Sequence, residues 1–306
     1  MEGHILLLTI ALGLLFGSFL NVVIHRLPRE GLSPNHPRRS FCPRCGAEIR
    51  WYDNIPVVSY LALLARCRSC RAPIPLRYFV VEVLTPALLT LVVWRSLDVT
   101  GSLAVAAAYG GLLLAMIACT FIDLEHQILP DAIDLPGMAL APVVSGLVWQ
   151  LHRQPDFSSL LGRLSLMGGG VEAFLSHPRV GAVLASILGI VVGVGLILAV
   201  RLLGRVLFRK EAMGLGDVKY LGMIGGYIGW DGVLLAFLVA ILVGAAVGVL
   251  IKLVTKESYM PFGPFLTVGA LSVILCRAEL NEFIFETYPR AVRGLMAALP
   301  AGSPLG

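Results

Sequence analysis

Two carboxylates and four thiols stand out in a chain that is otherwise oily. Asp123 closes an apolar run in "IACTFIDLEHQILPDAIDLPG", and Asp217 opens another in "EAMGLGDVKYLGMIGGYIGW", behind Gly214 and Gly216. An ionised carboxylate is costly to keep so near hydrocarbon, and an intramembrane acid is by default a functional candidate. Two carboxyl groups brought together cannot both ionise cheaply, so one stays protonated and the other basic. Such a pair activates a water and protonates a scissile amide, the logic of an aspartic protease. Gly214 and Gly216 tolerate positive φ and let an extended substrate backbone come close beside Asp217. Irregular backbone at this depth needs cover from protein or water, which implies a wet cleft. Blander roles compete for each residue. Asp217 reads equally as an N-cap accepting from backbone N–H groups near Lys219 and Tyr220. Asp131, directly after Pro130, reads as a helix cap before it reads as a catalyst. Asp134 stays open, and His126 reads as a solvated loop histidine. Lys219 holds the anion, steers a substrate or snorkels to lipid phosphate, and the sequence does not choose.

The thiols lie in "FCPRCGAEIRWYDNIPVVSYLALLARCRSCRAPI". Cys42-x-x-Cys45 and Cys67-x-x-Cys70 carry the spacing of a four-cysteine zinc ribbon: each tight turn presents two thiolates, and the second pair closes a tetrahedral shell. Arg44, Arg66, Arg68 and Arg71 favour thiolates and offset the negative charge of the shell. A full set of four protein ligands implies a structural metal, since catalytic zinc keeps an open position. Two disulfides are disfavoured in a reducing compartment, and a thioredoxin-like redox pair lacks its βαβ setting. Cys119 and Cys276 sit singly in apolar segments and read as core.

These groups need a scaffold, and composition says what kind. Hydrophobic residues make up 57% of 306 and charged ones only 14%, with a mean hydropathy of +0.85. A soluble domain carries nearly twice that charge. Apolar stretches long enough to cross about 30 Å of hydrocarbon recur, which predicts an all-α polytopic membrane protein. Eight spans are marked, at about 4–24, 78–97, 101–122, 132–151, 180–202, 214–230, 232–252 and 262–276. The first reads as a retained span rather than a cleaved signal peptide, because it lacks a basic leading region and a small-residue cleavage site. The division is therefore a first helix over 1–25, an arginine-rich four-cysteine loop over 26–77, a membrane core over 78–276 and a tail over 277–306, with no fixed-period repeat. With loop 26–77 in the cytosol, seventeen of the 24 lysines and arginines fall inside, which puts both termini outside. The basic balance then answers anionic inner-leaflet lipid, and no nucleic-acid partner is expected, since no aromatic-interleaved basic groove is present. In this topology Asp123 and Asp217 reach one membrane depth on the cytosolic side.

In order, "GSFLNVVIHRLP", the paired Cys-x-x-Cys with "NIPVVSYL" between, "RYFVVEVLTP", "FIDLEHQILPD", "MGLGDVK" and "PFGPFL" resemble the type IV prepilin peptidases, over roughly residues 12–276. These are inner-membrane aspartic proteases of bacterial pilus and type II secretion systems. The Gly-x-Gly-Asp element alone is also similar to presenilin-type and preflagellin proteases, which normally lack the cysteine loop. The resemblance implies that Asp123 and Asp217 are the catalytic pair. It implies cleavage of prepilin or pseudopilin leaders after a glycine at the cytosolic face, then N-methylation with S-adenosylmethionine. The secretion machinery would be only an indirect partner. Pro130, Asp131, Gly214, Gly216 and Lys219 are the supporting candidates. Gly193-Val-Gly195 is better explained as helix packing than as a cofactor loop. The stretch 152–179 departs from the family as an unusually long outside connection, and the tail lies beyond the resemblance. A different class stays in competition: a proton-coupled transporter with a metal-binding cytosolic loop. Against it, no charged residue recurs at mid-span and no repeat pair is evident. A thiol-redox membrane protein is a further competitor.

Overall fold

The computed structural model describes residues 3–37, 39–152, 177–208, 213–255, 260–287 and 290. Its elements are α1 (Gly3–Arg26), the short α2 (Val58–Ala62) inside the cysteine loop, α3 (Leu76–Thr100), α4 (Leu103–His126), α5 (Asp131–Leu147), α6 (Pro178–Phe208), α7 (Leu215–Thr255) and α8 (Gly263–Glu282). Among the described residues the β content is three isolated bridges, all within the loop. Six helices are long and apolar enough to cross a membrane: α1, α3, α4, α6, α7 and α8. Large apolar side chains such as Leu7, Leu8, Leu202 and Leu253 point outward, as expected where the surrounding solvent is hydrocarbon.

Six such helices stand against eight marked spans, and two local features make the difference. The marked span 132–151 appears as α5, whose 17 residues include Pro136 and Pro142; it is shorter than the other six. The spans marked at 214–230 and 232–252 run together as the 41 residues of α7, broken at Gly229 with φ 80° and ψ 172°. At 1.5 Å per residue a straight helix of that length would reach about 60 Å, twice the hydrocarbon thickness. The chain reverses instead. Tyr220 bonds Thr267 and Asp231 pairs with Arg277, so the first arm climbs alongside α8. The second arm descends it, where Gly269 meets Ala236, Gly244 meets Phe265 and Gly248 faces Met260. Only glycine adopts the turn at 229 without strain. The last helix is interrupted at Cys276 (φ −134°, ψ 33°), the expected end of its span, and resumes to Glu282; beyond that break Arg277 pairs with Asp231 and so belongs to the bundle rather than to a tail. Residues 153–176, most of the long connection, lie outside the described set.

Close backbone contact at small residues holds the helices together, as in bilayers generally, where burial against lipid offers no hydrophobic gain. A Cβ on Gly13 would stand 2.4 Å from Pro86 Cα, and one on Gly17 3.1 Å from Glu82 Cα, so α1 rests on α3. Gly189 and Gly225 are mutually excluded, with clashes of 2.0 and 2.3 Å onto each other's carbonyl oxygens. Of the Gly193-Val-Gly195 pair, Gly193 packs on Leu221 O while Gly195 faces open space; the α6–α7 seam is Gly189 with Gly193. Gly189→Leu and Gly225→Leu are expected to lower the melting temperature of the purified protein, through overpacking of about 1–3 kcal/mol or more. Gly195→Ala should leave it unchanged or raise it. Equal melting of all three variants would contradict the seam.

Candidate active site

Asp123 sits in the last turn of α4, which ends on Gln127 in the left-handed region, φ 56°. The residue is only 6% exposed. Its Oδ2 accepts the backbone N–H of Gly263 at 3.0 Å, the first residue of α8. A helix start leaves its first N–H groups without intrahelical partners, and its dipole favours an anion. Pro264 follows and has no N–H to offer, so Gly263 is the donor. A Cβ there would lie 2.5 Å from Asp123 Oδ2, which restricts the position to glycine.

Asp217 is the third residue of α7, and its Oδ2 accepts the N–H of Gly214 at 3.1 Å. The bond runs back into the preceding loop, whereas capping would have bonded it forward toward Lys219 and Tyr220. Asp217 lies near enough to Asp123 for their charges to interact. The two carboxylates thus share one end of the bundle, each at a helix terminus. Leu129, in the turn between α4 and α5, separates their supports: it would be 3.0 Å from a Cβ on Gly216 and 3.3 Å from one on Gly263. Gly216 is thereby a packing residue, while Gly214 is exposed and hydrogen-bonds Asp217. Pro130 is the N-cap of α5. Asp131 makes no cap bond; both its oxygens meet Lys219 Nζ at 2.7 Å, tying α5 to α7. Asp134 is fully buried beneath, accepting from the Cys119 thiol at 3.5 Å. Thr267 joins Thr120 at 2.7 Å and Tyr220 at 2.6 Å, locking α4, α7 and α8 in one register. Gly263, Leu129 and Thr267 were not singled out from the sequence. Gly263 did stand inside the quoted "PFGPFL", where a glycine between a phenylalanine and a proline marks a helix start.

The four cysteines converge. The Sγ atoms of Cys42, Cys45, Cys67 and Cys70 all lie within 4.8 Å of one another, close to the sulfur separations of a tetrahedral zinc–thiolate site. The two halves share one construction at an offset of 25 residues. Cys42 N–H donates to Ala47 O and Gly46 N–H to Cys42 O; Cys67 N–H donates to Ala72 O and Arg71 N–H to Cys67 O. Each turn passes through positive φ, at Gly46 (72°) and Arg71 (59°). The sequence carries this as a two-copy Cys-x-x-Cys-x-Ala-x-Ile, a repeat that a search for long arrays passes over. The N–H groups of Cys70 and Ser69 lower the Cys67 thiol to about 7. The N–H of Ala47 favours the Cys45 thiolate too, but desolvation and the thiols of Cys42 and Cys70 outweigh it and raise Cys45 to about 11. Four crowded sulfurs of this kind fit a divalent cation, which relieves their mutual repulsion. Elsewhere, Cys119 is buried as expected, whereas Cys276 is exposed on the bundle exterior rather than in the core.

Residues 11–96 match the model of the bacterial peptidase A24 N-terminal domain, and residues 110–249 that of the type IV leader peptidase family. Among curated proteins, a prepilin leader peptidase/N-methyltransferase of Pseudomonas aeruginosa PAO1 is 36% identical over 300 residues, covering 90% of this chain and 92% of its own length. Its namesake in Aeromonas salmonicida A449 is 35% identical over 301 residues, covering 90% and 91%. A third, from Myxococcus xanthus DK1622, is 37% identical over 247 residues, covering 81% of this chain and 63% of its own length. No solved structure matches the chain. The transporter alternative finds no support among these relatives.

Elemental analysis of the purified protein should find about one zinc per chain. Cys42→Ser and Cys67→Ser should each lower that content and loosen the loop to protease. Full occupancy in both variants would contradict a four-thiolate centre.

Proposed function

The chain belongs to the type IV leader peptidase family, and we propose that Asp123 and Asp217 are its catalytic pair, cleaving the leader of type IV prepilins or pseudopilins after a glycine. The observation that carries this reading is the meeting of the two carboxylates at one end of the bundle, with Asp123 oriented by the Gly263 N–H. One carboxylate takes a proton from water as the water oxygen attacks the scissile carbonyl. The other carboxyl group donates its proton, so that the C–N bond breaks and the amine leaves neutral. Lys219 and Asp131 hold the α5 and α7 ends in place beside the pair.

The face is cytosolic in this reading, and the N-terminus lies outside. Support comes from the arginine-rich loop, which joins the carboxylate end of the bundle through the Arg77–Glu125 ion pair, two residues beyond Asp123. Eight crossings follow if α7 counts twice and α5 once. A basic leader is drawn to anionic inner-leaflet lipid while the apolar pilin helix stays in the bilayer, so the scissile bond arrives at the depth of the carboxylates. Cys42, Cys45, Cys67 and Cys70 would hold a structural zinc, which stiffens the loop and takes no part in cleavage. The relatives' second named activity extends the reading to N-methylation of the newly released N-terminus, for which S-adenosylmethionine supplies the methyl group.

Purified protein in lipid should release the leader from a prepilin, and Asp123→Asn and Asp217→Asn should each slow release at least about a hundredfold. Melting temperature and zinc content should stay at wild-type values. Cleavage at the wild-type rate by either variant would remove the pair as the catalyst.

A further inference from the structure

A cavity of about 370 Å³ separates the cysteine loop from the neighbouring ends of α1 and α3. That volume falls in the range of small-molecule sites. Its wall includes Asn21, Phe41, Tyr60, Tyr78 and Glu82. Two of these carry unspent polarity. Glu82 is an acid on a membrane helix. Its Oε2 accepts the Val57 N–H at 2.7 Å, and Ser18 and Asn21 flank it. No lysine or arginine among the described residues forms an ion pair with it. Asn21, 3% exposed, donates through Nδ2 to Tyr78 O at 3.0 Å, and its Oδ1 is buried with no partner. A buried acceptor left unmet is costly, and an unpaired intramembrane acid is a functional candidate. Gly17 presses α1 onto α3 beside Glu82, so both acceptors are fixed by helices and not by loops.

Two of the wall's arginines are already engaged. Arg26 donates to the carbonyls of Ser33, Pro34, Pro37 and Arg39, and Arg68 makes a two-pronged pair with Asp53. Glu82 gives the cavity a carboxylate beside aromatic rings, and Arg44 also lines it. The carboxylate and rings suit a small ligand with a positive charge, N–H donors and a flat ring. The cavity lies toward the carboxylate end: Tyr78 in its wall adjoins Arg77, whose partner Glu125 is two residues beyond Asp123.

We propose that this cavity binds S-adenosylmethionine, with Glu82 opposing its positive charge and Asn21, hydrogen-bonded to Glu82, holding that carboxylate in place. The proposal rests on the methylation reading above, but makes a separate claim about place. The glutamate in "RYFVVEVLTP" is the sequence signal for it: one acid in an apolar run.

The test is equilibrium binding of labelled S-adenosylmethionine to the full-length protein in lipid nanodiscs, with ultraviolet cross-linking to map the contact. Cross-links should fall within residues 18–26 or 40–82. Glu82→Gln, which keeps an acceptor for Val57, should raise the dissociation constant about tenfold or more, and Glu82→Asp should restore part of the loss. Asn21→Leu should weaken binding too, with zinc content and melting temperature as checks on folding. Cross-links elsewhere, or wild-type affinity in both Glu82→Gln and Asn21→Leu, would overturn the assignment. So would a co-purifying phospholipid in the cavity that S-adenosylmethionine fails to displace. A wild-type protein that methylates mature pilin but cross-links elsewhere refutes only the cavity. One that binds there and never methylates supports the cavity and refutes the methylation reading.

Discussion

A single backbone N–H, that of Gly263, fixes where Asp123 can be. The bond crosses 140 residues of chain and ends on a carboxylate that is otherwise buried. A charge-assisted bond of this kind contributes about 1.5–3 kcal/mol, and it demands that α8 begin directly against the end of α4. The rest of the bundle serves that demand. Thr267, one turn further along α8, ties the same helix to α4 and to Tyr220 of α7. The helix that carries Asp217 is thereby held in register with the helix start that holds Asp123.

Two glycine devices make this arrangement possible in lipid. The reversal at Gly229 folds α7 into two arms that both contact α8, so that α7 and α8 both begin at the carboxylate end. The α6–α7 seam at Gly189, Gly193 and Gly225 brings backbones close enough that any side chain would collide. At the other end of the bundle, Arg277–Asp231 and Arg95–Glu279 close the helices polar to polar. Among the described residues the ion pairs between helices therefore lie at the two ends.

Much of this was legible in the sequence because it is written in side-chain type. Asp123 and Asp217 stand out as acids beside hydrocarbon, and the cysteines as two Cys-x-x-Cys turns; both sets come together. The break in α7 was nearly placed, since Gly229-Trp230-Asp231 interrupts an apolar run. What stayed hidden is written in the backbone or in pairing. Nothing in the letters "PFGPFL" says that the glycine's N–H reaches a carboxylate on another helix. Asp131 and Lys219 are each plain as charges, but their pairing across 88 residues is set by helix packing, so capping was the natural local reading for Asp131. The helical turns beyond the break at Cys276 stay hidden for a similar reason: Arg277 looks like the end of a span until Asp231 neutralises it.

In the proposed mechanism catalysis rests on a carboxylate positioned by Gly263, and steady-state kinetics of Gly263→Ala test that most directly. An added methyl at this position overlaps the Asp123 oxygen without touching either acid chemically. Leader release should lose about tenfold or more in kcat, with KM for prepilin and zinc content close to wild type. An alanine variant with wild-type kcat would contradict the account.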